Sequence, residues 1–504
     1  MTRLRLPTPS SRSSRSSLAA AAPLVALALA SGCSMGGIGS GDLGVTPGGV
    51  QDNRLARALI EDGLIPAGDT FRVEGIFSEH DLPFTDADTC AAVLCPRAAL
   101  ARHEPLDGRG GQLLVQIGFA TNIHSESFER EPLNLALAVD ISGSMSGEKI
   151  DAVRDALHTL TDQLGADDRV ALIAFDDASD LRLKSTVMDA SGRASLHAQI
   201  DGLEVRGGTN IEAGLSLAFE QVAPHAGAAG VEDRVMLLTD AQPNVGATGL
   251  DSFLGMTRYY AEAEVGTSVF GVGLDLGAEL AQEMSAVRGG NYFFLADAEA
   301  IATVFDDEFD YIVTPLAYDF EATVRAAEGW VFGEAYGAPL DQPSEGVQIG
   351  ASTLFLSARG GGVGVALRPG ASEAIPATAE SVADFDLSYL PVGAEDPEVF
   401  AASVPWSGGL PYQASFVAAD DLGVFKMAAL VDEYLALQAG ADFCASKLPQ
   451  ADARARVVEA AARLDEVATI LGDDALADES ALMHQLADNI DGGVGSCNDS
   501  PYYY

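Results

Sequence analysis

One stretch constrains this chain more than any other: Leu133–Met145, LNLALAVDISGSM. From Leu133 to Val139 it is apolar except for Asn134, the pattern of a strand buried on both faces of a parallel sheet. The run ends on Asp140-Ile141-Ser142-Gly143-Ser144, a carboxylate followed by two hydroxyls at alternating positions. Gly143 permits a sharp turn there. A helical pattern follows, with Ile150, Val153, Leu157, Leu160 and Leu164 spaced along one face. Hard oxygen donors at the carboxyl end of a central strand make a cation site, and open α/β sheets bind ligands in that crevice.

Strand and helix then alternate. Arg169–Phe175, Arg234–Thr239, Thr267–Val272 and Tyr292–Leu295 read as strands, and Leu181–Val187 as a shorter edge strand. Ser195–Leu203, Ile211–Val222, Ser252–Glu264, Ala278–Val287 and Ala298–Val313 read as helices, the last of them closing the unit. This order predicts a doubly wound, Rossmann-like α/β domain over residues 130–315, with helices on both sheet faces. Such a sheet gathers the carboxyl ends of its strands at one edge. Two more segments bring oxygens there: Gly207-Gly208-Thr209-Asn210 and Thr239-Asp240. Asp140, Ser142, Ser144, Thr209 and Asp240 supply two carboxylates and three hydroxyls. With one open position they form a six-oxygen shell suited to Mg2+ or Mn2+.

These residues, in this order, resemble the metal-ion-dependent adhesion site of the von Willebrand factor A family: D-x-S-x-S, then Thr after a Gly pair, then Asp closing a hydrophobic strand. All five positions match. The resemblance implies that Ser142, Ser144 and Thr209 bind the metal directly, and that Asp140 and Asp240 bind it directly or through water. It also implies that the open position accepts a carboxylate from a partner protein. Ala241 stands where bacterial members often carry Gly, a difference of loop shape and not of ligand. The wider order of segments, with stretches such as Tyr311–Phe320, is similar to the YfbK-type A-domain proteins. The expected function is non-enzymatic binding. An envelope assembly or chaperone-type scaffold, using the A domain for complex formation, is the alternative.

Residues 1–32 have the form of a targeting segment, with Arg3, Arg5, Arg12 and Arg15 ahead of the apolar run Leu18–Ala30. Ala30-Ser31-Gly32-Cys33 resembles the lipobox of bacterial lipoproteins, which implies cleavage before Cys33, acylation of that residue and a lipid-anchored place in the cell envelope. Residues 33–50 are rich in Gly and Ser and read as a flexible tether. Residues 51–129 are expected to hold a short helix, a disulfide loop and the strand Gln112–Thr121. Residues 316–420 suggest a small accessory antiparallel β module of short strands, into which Gln112–Thr121 could pair. Residues 421–504 read as C-terminal helices, with Val424–Ala439 and Ala451–Leu471 the most regular.

Apart from Cys33 the cysteines are Cys90, Cys95, Cys444 and Cys497, an even set with three formal pairings. Cys90 with Cys95 would close a tight loop, and Cys444 with Cys497 would staple the C-terminal segment. Lys+Arg total 29 against 74 Asp+Glu, a net charge of −45, which repels nucleic acid and excludes it as a partner. Enzymatic motifs are missing. The seven histidines are scattered without H-E-x-x-H, no G-x-S-x-G surrounds Ser142 or Ser144, and Gly271-Val272-Gly273 lacks the dinucleotide spacing.

Overall fold

The computed structural model describes residues 44–47 and 53–497, apart from 69, 86–89, 125–126, 241–249, 273–282, 284–286, 296–302, 338–345 and 371–373. The targeting segment, Cys33, Ala241 and most of the expected helix Ala278–Val287 lie outside the described residues.

In chain order, β1 (Gly44–Pro47), α1 (Arg54–Glu61), α2 (Val73–Ser78), β2 (Cys95–His103) and β3 (Gln112–Ala120) come first. The α/β unit follows. Its strands are β4 (Leu133–Asp140), β5 (Arg169–Phe175), β6 (Ser179–Val187), β7 (Glu232–Thr239), β8 (Gly266–Val272) and β9 (Gly290–Leu295). Its helices are α3 (Glu148–Gln163), α4 (Ala190–Asp201), α5 (Ile211–Val222) and α6 (Leu250–Ala261). The strand order is β6-β5-β4-β7-β8-β9. Every pairing is parallel except that of β6 with β5. All residues of β4 are buried: Leu135, Leu137 and Val139 pack with α3 and α4 on one face, Ala136 and Ala138 with α5 and α6 on the other. The apolar run of β4 follows from that double burial.

Several boundaries differ from the sequence reading. Edge strand β6 is longer than β5, not shorter, and its mixed, half-exposed composition hid its first residues. Helix α4 begins earlier than Ser195 because Asp189 caps it, accepting from the backbone N–H of Ser191 and Gly192. The single closing helix expected over Ala298–Val313 is replaced, among the described residues, by a π-helical turn at Thr303–Asp307 and a separate turn at Phe309–Ile312. Part of the expected tether is also ordered. Gly44–Pro47 pairs antiparallel with a later strand and buries Val45, too short a signal to stand out in a Gly-rich stretch.

After Thr314 come β10 (Pro315–Ala326), β11 (Trp330–Tyr336), β12 (Val347–Ser357), β13 (Val363–Pro369), β14 (Ala379–Pro391), β15 (Glu398–Trp406), β16 (Tyr412–Gln413) and β17 (Val417–Ala419). Helices α7 (Leu422–Cys444), α8 (Gln450–Leu471) and α9 (Asp474–Asp491) complete the described chain. The strands are not one small module but two antiparallel sheets, β1-β12-β10-β14-β15 and β11-β13-β3-β2-β17-β16. Strand β3 pairs with β13 from the far side of the α/β unit, residue Val115 opposite Val365. The α/β unit is therefore an insertion between β3 and β10. Alternation along β3 divides its side chains. Leu113, Val115 and Ile117 face the other sheet with Phe320, Leu354 and Leu387. Leu114 faces the helical layer with Ile76, Phe425 and Leu486.

Cys90 is bonded to Cys95 and Cys444 to Cys497. The second bond closes a separation of 53 residues and ties α7 to the end of α9. Loop-closure entropy assigns it about 4 kcal/mol. Cys497→Ala is expected to lower unfolding free energy by up to that amount, read as an earlier urea midpoint.

Candidate functional site

The site grows from the end of β4. Asp140 is fully buried, and each of its oxygens accepts a hydrogen bond: Oδ1 from the Ser142 N–H at 2.8 Å and Oδ2 from the Thr239 hydroxyl at 2.6 Å. Thr239 ends β7, beside β4, so the pairing of the two central strands fixes the carboxylate. Burial pushes the Asp140 carboxyl up to about 6, against those hydrogen bonds and with the charge of Asp240 adding to the rise.

Beyond Asp140 the chain makes one 3-10 turn, Gly143–Met145. Ser142 Oγ lies 3.1 Å from Ser144 Oγ, and Ser144 Oγ donates to Asp240 Oδ1 at 2.8 Å. The Thr209 loop docks through its backbone: Arg206 N–H donates to Ile141 O at 2.6 Å, and Gly143 N–H to Gly207 O at 3.1 Å. Gly207 has φ +69°, and a Cβ there would come within 2.9 Å of Asp177 Oδ2, so glycine is required on both counts. The Asp176-Asp177 turn after β5 grips the same loop, with Arg206 Nε donating to Asp176 Oδ2 at 2.6 Å and Gly208 N–H to Asp177 Oδ1 at 3.0 Å. Thr209 follows the two glycines and is buried.

The structure joins Asp140, Ser142, Ser144 and Asp240 at one edge and seats the loop of Thr209 against them. Sequence reasoning missed the anchoring hydroxyl of Thr239 and missed Lys149, whose Nζ lies 2.6 Å from Asp240 Oδ2. No sequence signal marks Lys149, which reaches the site only because α3 starts beside it. The donors are all hard oxygens. Hydrogen bonds of 2.8 and 3.1 Å hold Ser142, Ser144 and Asp240 together, close enough for their oxygens to share one ion. The residues fit a small divalent cation. Lys149 supplies a rival positive charge, so Lys149→Met is expected to tighten Mg2+ binding roughly 3–10-fold, measured by titration calorimetry.

A parallel sheet wound on both faces, with hydroxyls and carboxylates converging at its carboxyl edge, defines the class. The chain carries a von Willebrand factor type A domain: residues 134–307 match the model of that family. Domains of this family are protein-interaction and adhesion modules. Among relatives, YfbK of Escherichia coli (strain K12) is 28% identical over 280 residues, 55% of this chain and 48% of that protein. Human inter-alpha-trypsin inhibitor heavy chain H4 is 26% identical over 231 residues, 44% of this chain and 24% of that protein. The chain thus spans about half the length, or less, of the curated relatives it matches. Among solved structures, a von Willebrand factor type A protein from Catenulispora acidiphila aligns over 81% of this chain and 97% of its own, with 14% identity and a TM-score of 0.45.

Proposed function

We propose that this chain is a non-enzymatic binding protein that recognises an acidic group of a partner protein through a divalent cation, Mg2+ or Mn2+, at a metal-ion-dependent adhesion site. The observation that carries the reading is the convergence of hard oxygens from Asp140, Ser142, Ser144 and Asp240 at the edge of β4. A bound cation supplies a Lewis-acidic position that attracts a carboxylate. The chain's own residues do the rest. Ser142, Ser144 and Thr209 offer hydroxyl oxygens, Asp140 and Asp240 balance charge, and Thr239 and the Asp176-Asp177 turn hold the loops in place.

The lipobox-like Ala30–Cys33 supports anchoring through Cys33 to a membrane of the bacterial cell envelope. Among the described residues no helix is long and apolar enough to cross a membrane. Capture from a detergent-solubilised envelope fraction tests the binding claim. Immobilised chain should retain a partner in Mg2+ and release it in EDTA or in excess acetate. Retention unchanged by EDTA would sink the claim. Radiolabelled palmitate incorporation, lost in Cys33→Ser, tests the anchor.

A further inference from the structure

The helical layer holds a buried charged cluster far from the edge of β4. His80 lies two residues past α2, Glu433 is on α7 and Glu479 on α9, and they are 2%, 1% and 3% exposed. Each offers a ligating atom, and these atoms lie within 4.8 Å of one another. Glu479 Oε1 is 3.0 Å from His80 Nε2 and also accepts from Arg57 Nη2. Arg57 is held in turn by Glu79, with Nη2 donating to Oε2 at 2.6 Å.

Three buried atoms of the cluster receive no donor among the described residues: His80 Nδ1, Glu433 Oε2 and Glu479 Oε2; the two carboxyls lie within hydrogen-bond reach of each other, where only a proton or a cation can join them. Buried polar atoms are nearly always satisfied, so three orphans on three converging side chains point to an occupant. The charge points the same way. Glu79, Glu433 and Glu479 face one guanidinium, which leaves room for two positive charges when His80 is neutral.

We propose that His80, Glu433 and Glu479 form a second, structural metal site for a divalent transition cation of the zinc or manganese type. One imidazole nitrogen and two carboxylates make a mixed donor set that suits such ions. The oxygens around Asp140 suit Mg2+, so the two sites differ in preference. Tetrahedral bonds of about 2.0–2.2 Å put donors roughly 3.4 Å apart, so the three side chains would close in on a bound ion from their separations of up to 4.8 Å. Arg57 and His80 both bond Glu479 Oε1, which leaves Oε2 without a donor. The metal would join the Arg57–His80 segment to α7 and α9, across more than 350 residues of sequence.

A proton is the rival occupant. Burial and the charge of Glu479 push the Glu433 carboxyl up. His80 and Arg57 hold Glu479 down at about 2, against its own burial.

The test uses the full chain carrying Asp140→Ala, which silences the first site. After equilibration with micromolar Zn2+ and gel filtration, elemental analysis should find one zinc per chain. Adding Glu433→Gln, which keeps volume and one oxygen, should weaken zinc binding at least ~100-fold. With Co2+ as the probe, the visible absorption of the bound ion should change in His80→Gln. Absence of zinc from the Asp140→Ala chain overturns the proposal, and so does zinc retained by the Glu433→Gln variant. A carboxylic-acid infrared band that persists in saturating Zn2+ and vanishes in Glu433→Gln assigns the cavity to the proton and overturns it too.

Discussion

Asp140→Ala is expected to abolish the rise in melting temperature that Mg2+ gives the wild-type chain. A ligand at 100 times its dissociation constant stabilises by about 2.7 kcal/mol. For a unit of this size that is roughly 5–10 °C. The carboxylate is the centre of the cluster: it takes hydrogen bonds from Ser142 and Thr239 and lies one strand from Asp240. Removing it leaves the hydroxyls with one negative charge between them, too little to strip water from Mg2+. The metal-free melting temperature should change much less. Burial already holds Asp140 near 6, so ionising it at neutral pH opposes folding until a cation arrives. Differential scanning fluorimetry in Mg2+ and in EDTA reads both quantities. A Mg2+-dependent gain that survives in Asp140→Ala would refute the assignment of the ligand set.

Arg234→Ala is expected to cost about 3–5 kcal/mol of unfolding free energy. Arg234 lies on β7 and is fully buried. Its guanidinium donates to Ser268 Oγ at 3.0 Å, to Gly289 O at 3.2 Å and to Glu232 Oε1 at 2.9 Å, and stacks 5.2 Å from the Phe355 ring. Phe355 belongs to β12, so the arginine also joins the inserted domain to the sandwich. Truncation orphans the hydroxyl, the carbonyl and the carboxylate together. Burial lifts Glu232 to about 7, and Arg234 is the group that pulls it back. Since the folded-state value lies above the unfolded one, the native chain binds this proton better, and its stability falls as pH rises from about 4 through 7. The cost of Arg234→Ala should therefore shrink at pH 5, where Glu232 keeps its proton. Urea melts at pH 5 and pH 7.5 measure it. A cost under 1 kcal/mol at pH 7.5 would show that the pair is not load-carrying.

The inserted domain is legible because physics writes it twice. Strands such as β4 and β5 are covered on both faces and so become apolar runs, and the donors at their ends are chemically distinct from the runs. The sandwich is legible only in pieces. Strand β10 is interrupted by a register shift between Tyr318 and Glu321, with Asp319 at φ +52°, which breaks its alternation. Strand β12 reads as two fragments, Gly346–Ile349 and Thr353–Leu356, because small residues separate them, although it is continuous from Val347 to Ser357. The pairing of β3 into the later strands is legible, since Gln112–Thr121 alternates as a strand; which strand it meets and in what register is not, because nearly two hundred residues of another domain intervene. The histidines show the same limit. Scattered along the chain, they nevertheless find distant carboxylates: His80 meets Glu479, and His103 lies 3.2 Å from Asp432.

The insertion of one domain between β3 and β10 has a mechanical consequence. In the proposed binding mode, a partner held at the Asp140 edge would pull on the carboxyl end of β4, while the chain enters the domain at the opposite end of that strand. Tension then runs lengthwise along β4, which is bonded to β5 and β7 on its two sides. Those ladders are loaded in shear, many bonds at once, instead of being unzipped one by one.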